Sequence, residues 1–281
     1  YICRTYDGKG YLMVTTDMNV GKSKQWFNYG INLLKSEDLI HWTSTTFDFR
    51  KGAAIFSDAG SPDVYKDFST IKRVWAPQIF WDPDYQWDNG EKGGYMIYYS
   101  LWNPDEEKYD RMYYSYADKS FTTLTKPRLM FDWGYATIDA DINYIEADGK
   151  YHMLIKKEGG TPGIFAATAD KLTGPYKIKS ETDYVRFEGD RKCEGCSAFR
   201  LIGDSTWRVA YIQYSTRPKQ YRICQADELM QNFHSPVTIE GVEAPQHGSF
   251  MTLTKKEYKR LKRWSDREMK KQAGKAVPLK K

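Results

Sequence analysis

The sequence predicts an all-β fold, a five-bladed β-propeller with a short C-terminal helix. Three observations lead there: a motif that returns four times, a glycine-containing hairpin turn ahead of each copy, and an aromatic, β-branched strand after each turn. The motif is an apolar strand running into a small residue, an aspartate and a short turn that closes on an apolar or aromatic side chain. It occurs at Ile31–Trp42, Tyr113–Phe121, Ile164–Leu172 and Ile223–Leu229, and its aspartates, Asp38, Asp118, Asp170 and Asp227, lie 80, 52 and 57 positions apart.

The hairpin turns are Asp7-Gly8, Asn89-Gly90, Asp148-Gly149 and Gly203-Asp204. Glycine beside Asp or Asn supplies the positive φ that joins two antiparallel strands tightly. The strands that follow start at Tyr11, Tyr95, Tyr151 and Trp207. A unit of about 50 residues with four antiparallel strands is the size of a propeller blade. Four units are visible, and Gln246–Thr254 reads as the start of a fifth. Tyr1-Ile2-Cys3 reads as the middle of a strand, so upstream strands are expected to finish the ring. These elements divide the chain into a propeller over residues 1–254 and a basic helix and tail over 255–281.

Composition narrows the function classes. Aromatic residues make up 16% of the chain, with 22 Tyr and 9 Trp, which suits strands and also surfaces that stack on sugars. No run approaches the 18 or so apolar residues of a membrane span, so no membrane insertion is expected. The net charge of +5 comes from the tail: residues 251–281 carry 12 Lys/Arg against 3 Asp/Glu, leaving 30 against 34 before them. A solvated terminal helix explains this distribution, and nucleic-acid binding through the tail ranks behind. Cys193 and Cys196 have C-x-x-C spacing, but no second pair or His-x-x-x-His completes a zinc set.

In a propeller the inner strand of every blade faces the axis, so charged residues on such strands are the candidates for chemistry. Val74–Asp82 presents Trp75, which either stacks on a ligand or plugs a blade interface, and Gln78, an amide at the funnel mouth. Thr137–Tyr144 carries Asp139 and Asp141, two residues apart and therefore on one face. Such a pair is costly in a core unless it meets a cation, a donor or water, and a solvated strand end is the alternative. Lys192–Leu201 carries Glu194, which is either a turn residue or a carboxyl whose apolar setting and carboxylate neighbours keep it protonated as a general acid. His247 opens the last presumed inner strand, where it meets a metal or water, or a backbone partner in the core.

These segments in this order, with the Ser36–Trp42 turn and the His247-Gly248-Ser249 ending, resemble glycoside hydrolase family 43 from Tyr1 to about Leu261. The resemblance implies a five-bladed propeller that hydrolyses arabinofuranosides, xylosides or galactofuranosides of plant cell-wall polysaccharides. It implies inversion of the anomeric centre by two carboxylates about 6.5 to 9.5 Å apart. Glu194 resembles the acid, Asp139 the carboxylate that tunes it, Trp75 and Gln78 the lining of the sugar pocket, and His247 the axial residue associated with a water-held Ca2+. Asp17 borders the same pocket. The family's base is an aspartate in an Arg-Asp-Pro stretch directly ahead of a segment like Tyr1–Arg4, so it is expected to lie outside this chain. Gln78 stands where many members have Glu, and Gln246 where many have Arg. The expected protein is thus a monomeric, secreted or periplasmic α-L-arabinofuranosidase acting on an oligo- or polysaccharide. A non-catalytic carbohydrate-binding propeller is the second reading.

Overall fold

The structure, a computed structural model, describes residues 1–18, 25–159, 163–178 and 192–273. Among the described residues sixteen strands form four sheets, each an antiparallel meander of four consecutive strands. Blade 1 contains β1 (Ile2–Arg4), β2 (Tyr11–Thr16), β3 (Gly30–Ser36) and β4 (Thr43–Asp48). Blade 2 contains β5 (Arg73–Gln86), β6 (Lys92–Trp102), β7 (Arg111–Ala117) and β8 (Arg128–Phe131). Blade 3 contains β9 (Thr137–Ile145), β10 (Lys150–Lys157), β11 (Gly163–Ala169) and β12 (Lys177–Ile178). Blade 4 contains β13 (Cys193–Arg200), β14 (Trp207–Gln213), β15 (Gln220–Ala226) and β16 (His234–Thr238).

The repeat is visible in the backbone. Gly8, Gly90, Gly149 and Gly203 have φ of 70°, 85°, 68° and 81°, so all four turns use the left-handed region that glycine enters without a Cβ clash. Each second strand carries, at or near its start, an aromatic residue paired with a small one: Tyr11 with Ser36, Tyr95 with Ala117, Tyr151 with Ala169 and Trp207 with Ala226. This register aligns Ser36, not Asp38, with the last strand residue of the other blades. The aspartate of the first copy is therefore displaced by one position. Its carboxylate still accepts the amides of Ile40 and His41, as Asp227 accepts those of Leu229 and Gln231.

In β6 both faces are buried, and along the second strands alternate residues enter different interfaces as the period of two demands. Tyr95, Ile97 and Tyr99 pack toward blade 1, whereas Met96 and Tyr98 pack toward blade 3 with Ile142, Met153 and Phe165. Val209 and Tyr211 join Leu154 and Ile164 of blade 3. The opposite face of blade 4, with Ala210, Ile212 and Tyr221, is covered by Ile239 and Phe250 of the trailing chain.

That trailing chain corrects the expectation of five blades. Among the described residues there are four sheets, and Gln246–Thr254 pairs with none of them. It runs between blades 4 and 1 instead. Phe250 stacks on Phe199 with centroids 4.2 Å apart, and Ser249 Oγ accepts the amide of Ile2 at 3.0 Å. One segment leading directly into a helix is too short to fold into four strands, so it covers the open faces singly.

Helix α1 (Lys255–Ala273) follows. Thr254 and Glu257 form a capping box, with each side chain accepting the other's amide. Glu257 also takes a two-pronged ion pair from Arg4, at 2.7 and 3.0 Å, and a hydrogen bond from the Tyr11 hydroxyl. Tyr258, Trp264 and Met269 are exposed, and the tail beyond Ala273 lies outside the described residues. Among the described residues no helix is long and apolar enough to cross a membrane.

Candidate active site

Three inner strands are interrupted at the same level. The pairing of β5 with β6 slips between Trp75 and Gln78, that of β9 with β10 across Asp139 and Ala140, and that of β13 with β14 between Glu194 and Ser197. Each slip is a β-bulge with one residue in the left-handed region: Ala76 at φ 50°, Asp139 at 57° and Gly195 at 66°. The four-residue units Trp75-Ala76-Pro77-Gln78, Ile138-Asp139-Ala140-Asp141 and Glu194-Gly195-Cys196-Ser197 are therefore structural equivalents. A bulge bends a strand and re-aims its side chains, and here it does so three times around one axis. In blade 1 the register Ile2 to Met13 puts Tyr1 level with Gln78, Asp141 and Ser197.

At Asp139 and Ala76 a residue with a Cβ occupies a conformation that costs about 1–2 kcal/mol. The Asp139 carboxyl is 6% exposed. Its Oδ2 accepts no hydrogen bond among the described residues and lies 3.6 Å from His247 Nε2. Burial raises its pKa and the Glu194 carboxylate adds to the rise, while His247 and Lys156 oppose it. The His247 ring lies against Gly195 so closely that a Cβ there would come within 3.1 Å. Asp139, Gly195 and His247 are thus brought together from blade 3, blade 4 and the trailing segment.

Glu194 joins them through Lys156, at the end of β10. Lys156 Nζ donates to Glu194 Oε2 at 2.7 Å and to Glu158 Oε1 at 2.8 Å, and lies 4.6 Å from the centroid of the Tyr214 ring. The lysine side chain is 3% exposed, and its pKa is raised because the two carboxylates outweigh its burial. The setting of Glu194 therefore differs from the apolar one expected. Bulge register places Lys156 opposite Ile138, on the strand next to Asp139, where its stem reaches across the interface to blade 4.

Asp141 occupies a separate, interior position. It is 2% exposed and accepts the Ala198 amide at 2.9 Å and the Asn143 side chain at 2.8 Å. Burial pushes its pKa up to about 6 despite these bonds and one from Gln78. Gln78 in turn accepts the Tyr98 hydroxyl at 2.8 Å, and Tyr98 accepts the Ile142 amide at 3.0 Å. Trp75 is half-buried beside Arg73, whose guanidinium lies 4.9 Å from its ring and 4.3 Å from that of Trp102. Arg73 pairs with buried Asp110 at 2.9 Å. Asp17 lies at the end of β2 on the same side, but its carboxylate accepts the amides of Tyr29 and Gly30 and serves the turn.

Sequence reasoning did not single out Lys156, Glu158, Tyr214 or the Arg73–Asp110 pair. The one signal for Lys156 was a lysine ending the apolar run Met153-Leu154-Ile155. For calcium, the donor set is a poor fit. No group of three or more His, Cys, Asp or Glu is poised around one point among the described residues, and Ca2+ takes about six to eight oxygens.

The sequence matches, over residues 1–259, a family described as a probable glycosyl hydrolase domain and related to glycoside hydrolase family 43. The chain belongs to this family. A search of curated proteins finds no match. Among solved structures, this family-43-related domain is similar to the native arabinanase of Bacillus subtilis, with TM-score 0.56 and 12% identity over 89% of this chain and 86% of that one. It is similar to an endo-arabinase from Bacteroides thetaiotaomicron, with TM-score 0.56 and 13% identity over 86% and 80%. It also resembles a family-43 protein from Bacillus licheniformis, with TM-score 0.52 and 17% identity over 83% of this chain, and spans 40% of that chain's length. At such identities the likeness is one of fold, and it supports a propeller arrangement of the four sheets.

Proposed function

We propose that the protein hydrolyses glycosidic bonds of plant cell-wall polysaccharide side chains with inversion, releasing α-L-arabinofuranosyl units. In this reading Glu194 protonates the leaving-group oxygen as the bond to the anomeric carbon breaks. A base removes a proton from the water that attacks that carbon from the opposite face, so the new bond has inverted configuration. Asp139 tunes Glu194 by its charge, Trp75 and Gln78 line the sugar pocket, and Asp17 contributes to its border through the turn that it holds. The observation that carries the reading is the meeting of Asp139 and Glu194, 55 positions apart, in one cluster with His247 and Lys156.

The same repeat suggests where the base belongs. Counting back from the register of blade 1, the equivalent of Ala76, Asp139 and Gly195 falls two positions ahead of Tyr1. If residues precede Tyr1, an aspartate at that position would face the axis from the blade across from Asp139. A substrate of this class lies outside the cytoplasm, so export belongs to the same proposal.

The test is hydrolysis of an arabino-oligosaccharide by the full-length protein, with the first-formed anomer followed by NMR. Glu194→Gln is expected to lower kcat by about 10²- to 10⁴-fold. The loss should be smaller with a nitrophenyl arabinofuranoside, whose leaving group departs without protonation. An unchanged rate on the natural substrate would remove Glu194 from the acid role. The ion pair between Glu194 and Lys156 favours a second reading, a sugar-binding propeller without turnover, which predicts retention of the oligosaccharide and no product.

A further inference from the structure

The least expected group in the cluster is a buried ammonium. Lys156 has no counterpart at the matching positions of the other blades, which hold Thr16, Ser100 and Ile212 opposite the same level. All three are uncharged and shorter than lysine. A lysine stem desolvated to 3% exposure is retained only where its charge meets fixed acceptors, and two are present, Glu194 and Glu158.

The two acceptors differ. Glu194 comes from the first strand of blade 4, and its side chain is 23% exposed. Glu158 follows β10 in the same blade as Lys156, and its side chain is 42% exposed. Its amide donates to the Ala136 carbonyl at 3.0 Å, which fixes the backbone from which it reaches. Lys156 therefore joins a wet, replaceable carboxylate to a more enclosed one across the blade 3–blade 4 interface. It uses Oε2 of Glu194 and leaves Oε1 unengaged by this bond.

We infer that Lys156 is a positioning residue for Glu194: it fixes the rotamer through Oε2, so that the transferred proton resides on Oε1, and its ammonium is already paired with the carboxylate that the transfer leaves behind. This rests on the reading of Glu194 as the acid. In the catalytic step the Oε1–H bond breaks as the proton passes to the glycosidic oxygen, leaving a carboxylate already paired with the ammonium. Solvent then returns the proton. Glu158 moderates the effect by sharing the ammonium. Among the described residues, the other charged or titratable groups facing the pair are Asp139 on β9 and Tyr214 after β14, while His247 on the trailing segment faces Asp139 and Asp110 faces Glu158.

The experiment is a pH–rate profile of the full-length protein on an arabino-oligosaccharide for wild type, Lys156→Met, Lys156→Arg and Glu158→Gln. Removing an opposite charge at hydrogen-bond distance moves a carboxyl titration by about one to three pH units. Lys156→Met is therefore expected to shift the basic limb of kcat upward by at least about one unit, with kcat falling and KM little changed. Lys156→Arg is expected to keep the limb near its wild-type position. Glu158→Gln, which removes a competing anion from an exposed position, is expected to shift it downward. A basic limb at the same pH in Lys156→Met and wild type overturns the proposal. If that variant does not fold, an unshifted limb in Glu158→Gln overturns it. A wild-type protein that binds the oligosaccharide without cleaving it refutes the hydrolase reading itself, a result distinct from either of these.

Discussion

Replacing Asp141 by Asn is expected to make the protein less sensitive to alkaline pH while costing it hydrogen bonds. Asp141 is buried, and its pKa is pushed up from 3.8 to about 6, chiefly by desolvation of the charged form. The folded chain therefore holds this proton more tightly than the unfolded chain. The contribution to stability is fully present below the unfolded value and is lost as pH rises through the folded one. A gap of roughly two units corresponds to about 3 kcal/mol, complete above the folded value. Asn cannot ionise and removes this loss. It also replaces an acceptor of three donors, the Ala198 amide and the side chains of Asn143 and Gln78, with a group that has only one oxygen. The exchange costs about 1–2 kcal/mol at every pH. Urea unfolding at about pH 4 and about pH 8 separates the two effects, because only the first depends on pH. The difference in stability between Asp141→Asn and wild type should move in favour of the variant by about 2–3 kcal/mol from the lower pH to the higher. Parallel pH dependences for the two proteins would show that Asp141 is not a strained buried carboxyl, and the account of the interior axis would fail with it.

Two further outcomes follow from the geometry. Gly195→Ala places a Cβ at φ 66° and within 3.1 Å of the His247 ring, so a loss of about 1–3 kcal/mol in thermal or urea unfolding is expected, with a change in the His247 ring resonances by NMR. Glu257→Ala removes the acceptor of Arg4 and Tyr11 and half of the capping box, so α1 should become the first site of limited proteolysis while the sheets keep their hydrogen-exchange protection. Unaltered proteolysis would mean that the helix is held by something other than this residue.

The parts of the fold that local chemistry dictates were legible in the sequence. Asp7-Gly8 and its three relatives announced turns because their backbone conformation favours glycine. The strands beginning at Tyr11, Tyr95, Tyr151 and Trp207 announced themselves by aromatic content. That Gln246–Thr254 stays outside any sheet is not legible in the sequence, because His247-Gly248-Ser249 has the composition of an inner strand, and among the described residues no sheet receives it. The displacement of Asp38 relative to Asp118 is not visible in the sequence, since pairing register is a property of two strands. At the site, the sequence offers Asp139 and Glu194 as candidates by their chemistry and by the family resemblance. It does not offer Lys156, because its partner is 38 positions away and reached through a bulge. The bulges themselves escaped notice because Trp-Ala-Pro-Gln, Ile-Asp-Ala-Asp and Glu-Gly-Cys-Ser share a backbone path and almost no side-chain chemistry.

That shared path makes the inner rim interchangeable in a physical sense. Each bulge offers the same sockets in the same order: one aimed side chain, one left-handed residue, one small residue against the neighbouring blade and one polar group level with Tyr1. The chain fills the first socket with a ring, a branched alkyl group and a carboxyl, and leaves the surrounding hydrogen-bond ladder alone. Chemistry can therefore be rewritten at the rim by exchanging four residues at a time. A graft of one such quartet into another blade meets a backbone already bent to receive it.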